Sequence, residues 1–255
     1  MGRILSRIYA DFFKGSRYNE YEKIIVKAIE SGYKIVSLID YYGNFLEKDE
    51  KVIILRHDID TDPKGARNFF EIEKRFGVKA SYYFRLNTLD YKFMDEIKAY
   101  GSEVGYHYEE LATYCKRNGI RGASELGEKD YENIYNEFVN NFKDRFKDYN
   151  IKSIASHGDF YNRKIKVPNY RIFELYNYAD LGISIEAYDE KLLKSFDKYV
   201  SDARLKPYWK DGYSMFDAIN EGQRKVLFLS HPANWGTNVL ENIYENLKRA
   251  INIFF

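Results

Sequence analysis

One cysteine among 255 residues, Cys115, leaves no partner for a disulfide within the chain. Long apolar runs are missing too. Nothing approaches the roughly 20 residues of a membrane helix, and the opening MGRILSRIYADFFKG breaks its apolar residues with charges where a signal peptide would run an apolar core. An excess of charge of one sign is also absent: Lys and Arg total 40 against 39 for Asp and Glu, a formal net charge of +1. No global field then draws in nucleic acid or an anionic membrane, and a charged partner must be recognised locally. The expectation is a soluble, cytoplasmic chain with no membrane span and no nucleic-acid partner. Its oligomeric state is left open.

Linker-like and low-complexity tracts are lacking as well, so a single domain over residues 1–255 is expected, with residues 1–45 as a helical and strand addition packed on the main body. At 45% hydrophobic and 31% charged residues, the chain can bury one substantial core. The 25 Tyr and 18 Phe accompany abundant Lys, Ile and Asn and read as compositional bias, without function.

What is present is an alternation of strand and helix patterns. YNEYEKIIVKAIESG (18–32) spaces its apolar residues at helical intervals and stops at Gly32, and YKIVSLI follows as a strand. VIILR is a second strand, after which Thr61 is placed to cap a helix with Pro63 in its first turn, running to Gly77. VKASYYFRL (78–86) and SEVGYHY read as strands around the helix YKFMDEIKAYG, and a helix is expected over roughly 124–147. IKSIASHGD, LGISIEAY, GYSMFDAI and KVLFLSHPANW complete the strands; YNRKIKVPNYRIF and KYVSDARLKPYWKDG read as long loops; TNVLENIYENLKRAINIFF closes with a helix. Such alternation predicts an α/β fold with a parallel sheet, most economically a (β/α) barrel.

The four histidines all follow apolar strand patterns: His57 after VIILR, His107 after SEVGY, His157 after KSIAS and His231 after KVLFLS. In parallel α/β folds the C-terminal strand ends share one face, where active sites are built, so all four are expected to converge there. Asp58 and Asp60 next to His57 offer hard oxygen ligands or a base, and His107 and His157 offer imidazole nitrogens, a mixture suited to zinc or another first-row divalent ion. Residues i and i+2 of a strand share a face, so Asp58 and Asp60 can approach one centre. Asp62, ahead of Pro63, suits a helix N-terminus.

RHDID, GVKASYYF, EVGYH and the L-x-x-H of LFLSH together resemble the polysaccharide deacetylase superfamily, also called NodB-homology or carbohydrate esterase family 4, over most of the chain. The resemblance implies a distorted (β/α)7 barrel and metal-assisted hydrolysis of an acyl group. It matches Asp58 to the catalytic base, Asp60 and His107 to metal ligands, and His231 to the acid near the leaving group. The family's second histidine, four residues after the first, is replaced here by Leu111. His157 is expected to take its place, with Glu110 as the runner-up and Glu109 as a further ligand or substrate contact. The family's Arg-x-Pro segment is also missing, leaving Arg56 or Arg85 to orient Asp58. Asp202, within KYVSDARLKPYW, joins the substrate-binding or base-orienting group. Trp209 and Trp235 either wall a sugar pocket or pack in the core.

The resemblance thus implies a deacetylase using one divalent ion, zinc or a neighbour of it, on an acylated amino sugar of surface-polysaccharide assembly, nucleotide-linked, lipid-linked or within a glycan. Rival readings are a catalytically altered barrel that binds a glycan or a protein partner, a hydrolase of another C–N amide bond, and a His-Asp phosphohydrolase. The last is disfavoured because its adjacent His-Asp pair normally lies on a helix.

Overall fold

The computed structural model describes residues 3–254; Met1, Gly2 and Phe255, at the ends of the two expected terminal segments, lie outside the described residues. Eight strands are formed among the described residues: β1 (Lys34–Val36), β2 (Val52–Ile59), β3 (Ser81–Phe84), β4 (Glu103–Tyr108), β5 (Ser153–Ser156), β6 (Ile185–Glu186), β7 (Lys198–Ser201) and β8 (Lys225–Ser230). The α-helices are α1 (Arg3–Phe12), α2 (Tyr18–Glu30), α3 (Leu38–Asn44), α4 (Pro63–Phe76), α5 (Tyr91–Tyr100), α6 (Glu110–Arg117), α7 (Glu128–Arg145), α8 (Phe160–Ile165), α9 (Glu190–Lys194), α10 (Met215–Asn220) and α11 (Val239–Phe254).

All pairings among the named strands are parallel, in the order β6-β5-β4-β3-β2-β8-β7. The sheet curls as a half-barrel whose two edges, β6 and β7, are not paired with one another among the described residues. Short β1 pairs with Val52–Ile54 and β3 with Arg56–Ile59, so both occupy the same flank of β2, one below the other, while β8 covers the opposite flank.

The two-residue period of the strands sorts the core into two clusters. Ile53, Leu55, Ile59, Tyr82, Phe84, Tyr106 and Phe228 pack outward beneath the helices. Val52, Ile54, Tyr83, Ala155, Ile185 and Leu227 fill the concave side, plugged from below by Leu38 and Tyr41 of α3. Gly105 is required there: a Cβ on it would stand 2.4 Å from two Tyr83 ring carbons and 3.1 Å from the Ser153 carbonyl oxygen. The missing side chain lets Tyr83 fold across β4 and reach Ser153 with its hydroxyl, at 2.5 Å.

Several expected elements are corrected. YKIVSLI is a strand only to Val36, because the Ser37 hydroxyl accepts from the Asp40 N–H and starts α3. GYSMFDAI, read as strand, is helix α10. Ser214 and Asp217 bond each other's backbone N–H, and that reciprocal cap, visible in the sequence as S-x-x-D, outweighs the apolar run. KYVSDARLKPYWKDG is not all loop: it begins with β7, which β8 holds from Lys198 to Ser201. Asp62, not Thr61, stands at the N-cap of α4, in the left-handed region at φ 60°. The helix foreseen over 124–147 is a short 3-10 turn at Ala123–Glu125 followed by α7.

Candidate metal and acid-base site

The alternation along β2 decides which members of RHDID reach the site. Arg56, Asp58 and Asp60 turn to the concave side, and His57 and Ile59 turn outward beneath α4. His57 is fully buried there, its Nδ1 2.6 Å from Ser230 Oγ and its Nε2 2.7 Å from Glu73 Oε1. The expected convergence of four histidines is therefore corrected to three. The same geometry removes the His-Asp phosphohydrolase, since His57 and Asp58 lie on opposite faces of one strand and cannot share an ion.

The remaining groups meet above the concave core. Asp60 Oδ1 stands 3.1 Å from His107 Nε2 and 3.4 Å from His157 Nε2, and the three ligand atoms all lie within 4.8 Å of one another. These separations fit an ion. Zinc–nitrogen bonds of about 2.0–2.1 Å in a tetrahedron set neighbouring ligand atoms roughly 3.3 Å apart. His107 Nδ1 lies 2.9 Å from the Ala155 carbonyl oxygen, an acceptor only, so that nitrogen carries a proton and Nε2 is the nitrogen that faces Asp60. His157 Nδ1 lies 3.1 Å from Glu109 Oε2, but out of line for a hydrogen bond, and is a buried nitrogen without a hydrogen-bond partner. The donor set and the spacing thus suit a divalent cation that leaves further coordination positions open.

Asp58 sits beside this triangle, 3.5 Å from His107 Nε2, and is buried. Arg56, fully buried on the same face two residues earlier, grips it with two parallel bonds, Nε to Oδ1 and Nη2 to Oδ2, both 2.8 Å. Burial favours the neutral acid, but the Arg56 guanidinium, followed by His107 and His231, overrides it and holds the Asp58 carboxyl below its ordinary range. For Asp60 burial is likewise overcome, by His157 and the His107 bond first, and its carboxyl falls well below the ordinary range. Arg85 takes a different place from the one considered for it. Its Nη1 donates to the Asp60 carbonyl at 3.0 Å and its Nε and Nη2 clasp Glu109; burial raises the Glu109 carboxyl, but His157 first and then the Arg85 guanidinium bring it down to about 2.

His231, at the end of β8, is held by Asp202 at the end of the adjacent β7. Its Nδ1 lies 2.7 Å from Asp202 Oδ1, its backbone N–H donates to Oδ2 at 2.9 Å, and Trp235 Nε1 donates to the same oxygen at 2.7 Å. Burial lowers the imidazole's proton affinity, but Asp202, helped by Asp60 and Asp58, overrides it and raises His231 to about 10. With Nδ1 taken by Asp202, Nε2 is the ring nitrogen left for another partner.

Three expected site residues lie elsewhere. Glu110, the runner-up ligand, turns away from the triangle and is buried against the Tyr106 hydroxyl and Asn141 Nδ2. The start of α6 directs the two adjacent glutamates apart, so Glu109 meets His157 and Glu110 does not. Trp209 and Trp235 are buried 5.8 Å apart in the outer core, with Phe228 against both, and form no sugar wall; Trp235 also meets Tyr21 and Phe69.

No protein-family model matches this chain, and no curated protein does. Among solved structures it is similar to the Xyl-CE4 domain of a multidomain xylanase from the hindgut metagenome of Trinervitermes trinervoides, at 14% identity over 79% of this chain and 84% of that one, with a TM-score of 0.38. The likeness is distant. The chemistry of the site follows from its own geometry.

Proposed function

We propose that this chain is a metal-dependent hydrolase that removes an acyl group, acetyl first, from the nitrogen of an amino sugar or glycan precursor, on a distorted (β/α)7 barrel of the polysaccharide deacetylase kind. The carrying observation is the Asp60–His107–His157 triangle with an arginine-clamped carboxylate on one side and a carboxylate-backed imidazole in reach. A divalent ion, zinc or another first-row metal, supplies Lewis acidity toward a carbonyl oxygen and acidifies water. Asp58 then acts as the base that accepts a proton from the attacking water, with Arg56 fixing both of its oxygens. His231, protonated and fixed through Nδ1 by Asp202, donates from Nε2 to the departing nitrogen. The surface-polysaccharide setting and the nucleotide- or lipid-linked state of the sugar rest on the sequence resemblance alone.

The test couples two readouts. Titration with zinc or cobalt should show one ion per chain, lost or weakened at least about 100-fold in His157→Ala, and the loaded protein should release acetate from N-acetylated amino sugars. An intact fold that takes up no ion, or a His157→Ala variant with unchanged affinity, would remove the proposed centre.

The acid role makes a separate expectation. His231→Ala should slow amide hydrolysis by roughly 10²-fold to 10⁴-fold while activated aryl acetates, whose leaving groups need no proton, lose far less. Because Asp202 raises His231, the acid stays protonated above the ordinary histidine range and activity should fall only as pH rises through that raised value. Asp202→Asn should move this alkaline limb downward, toward the ordinary histidine range. A limb that stays in place, or equal losses on amide and ester, would make His231 an orienting or packing residue.

A further inference from the structure

The two terminal helices lie side by side, and the bonds that tie them to each other and to Arg204 are polar. The Asp11 carboxylate accepts from Arg204 Nε at 2.8 Å and Asn246 Nδ2 at 3.0 Å, its carbonyl accepts from Asn242 Nδ2 at 2.7 Å, and Arg204 Nη2 donates to Asn242 Oδ1 at 2.9 Å. The apolar side chains point outward: Leu5, Ile8, Tyr9 and Phe13 on and just after α1, and Val239, Leu240, Ile243, Tyr244 and Leu247 on α11. Leu240 is 80% exposed and Phe13 71%. Such side chains present roughly 150–200 Å² each when fully exposed. The ledge therefore amounts to on the order of 800 Å², more than the largest patch on an ordinary soluble monomer.

Further observations say what covers it. Between α1 and the loop that carries Arg204 lies a cavity of about 290 Å³, lined by Tyr9, Ala10, Leu205 and Tyr208 with Arg204 and Lys206. It is an apolar recess with cations at its border. The sole acid of α1, Asp11, is buried, while Arg7 is exposed on the same helix and Lys206 on the facing loop. The apolar face of α1, bordered by cations and carrying Tyr9 and Phe13, has the features of a helix that lies in a membrane interface, and α11 adds its apolar stripe with Glu241 beside it. Among the described residues no helix is long and apolar enough to cross a membrane. The exposed stripe of α11 runs through positions 239, 240, 243, 244 and 247, which is broader than the a/d seam that two packed helices share. The ledge also adjoins the site, since Lys14 Nζ donates to the Asn234 carbonyl at 2.5 Å and Arg204 Nη1 to that of Ala233 at 3.2 Å, just past His231.

We propose that the paired faces of α1 and α11 dock on a lipid bilayer, the apolar side chains entering the interface and the recess beside Lys206 receiving part of an anionic lipid. With a net charge of +1 there is no long-range pull, so apolar contact carries the binding and anionic headgroups add to it locally.

Co-flotation with vesicles tests this, using phosphatidylcholine alone and phosphatidylcholine with one-third phosphatidylglycerol. The full chain should float with both, a few-fold more with the anionic mixture. Leu240→Glu with Leu247→Glu, and separately Ile8→Glu with Phe13→Glu, should each lower flotation at least tenfold while thermal unfolding and zinc uptake stay as in the parent. The pairs lie on different helices, so misfolding of one leaves the other informative. Lys206→Glu should remove most of the anionic gain and keep binding to phosphatidylcholine. Absence of flotation with either vesicle overturns the proposal, as do double variants that float like the parent. A stable dimer in solution that Leu240→Glu dissociates, without vesicle binding, overturns it in favour of a second copy of this chain.

Discussion

Asp58→Asn should lower acetate release by roughly 10²-fold to 10⁴-fold while zinc still binds, because the side chain it changes is a base and stands outside the Asp60–His107–His157 triangle. The amide keeps one oxygen for the Arg56 clamp but presents an N–H₂ to the other guanidinium nitrogen. Arg56 is wholly buried, with Nη1 lacking a hydrogen-bond partner, so a weakened clamp also destabilises the protein. Metal content and thermal stability measured beside turnover separate these effects. Near-parental turnover would exclude Asp58 as base, and loss of zinc would exchange its role with that of Asp60.

The second large effect concerns a cluster that no catalytic step uses. On the outer face of β2, Glu73 Oε1 accepts from the Tyr21 hydroxyl at 2.6 Å and faces His57 Nε2 at 2.7 Å, and Glu73 Oε2 accepts from the Tyr82 hydroxyl. All four residues are fully buried. Glu73→Ala would leave two hydroxyls and an imidazole nitrogen without this partner in a dry core, a cost of about 3–5 kcal/mol against a total stability of similar order. Chemical denaturation should show the midpoint falling steeply. A change below about 1 kcal/mol would mean that water or a shifted side chain takes over these bonds.

These two residues also show why the sequence was only partly legible. Strand and helix alternation follows from local periodicity, and VIILRHDID, SEVGYHY and KVLFLSH each identify a strand that ends in polar residues. Periodicity further places Asp58 and Asp60 on one face. The same rule, applied to His57, puts it on the opposite one; counting strand-end histidines alone missed this. Asp202 and His231 pair because β7 lies beside β8, and nothing local to either segment records that neighbour. Glu73 was missed for a like reason, since its partners come from α2, β2 and β3. Glu109 and Glu110 are adjacent in sequence, and only the turn into α6 determines which of them reaches His157. Helix α10, by contrast, carried a readable cap in Ser214 and Asp217 beneath a run that looks like strand.

The arrangement around β2 bears on synthesis. Its two long flanking partners are β3, next along the chain, and β8, whose Ser230 meets His57 across 173 residues. As the chain leaves the ribosome, Val52–Ile59 emerges early and stays open on its β8 side until nearly the whole sequence has been translated. Contacts of such separation also make closure slow once the chain is free. A strand whose first half, Val52–Leu55, is wholly apolar and exposed for that interval is a segment for which chaperones compete, so synonymous codon changes that slow translation between β3 and β8 lengthen its exposure without altering a single native contact.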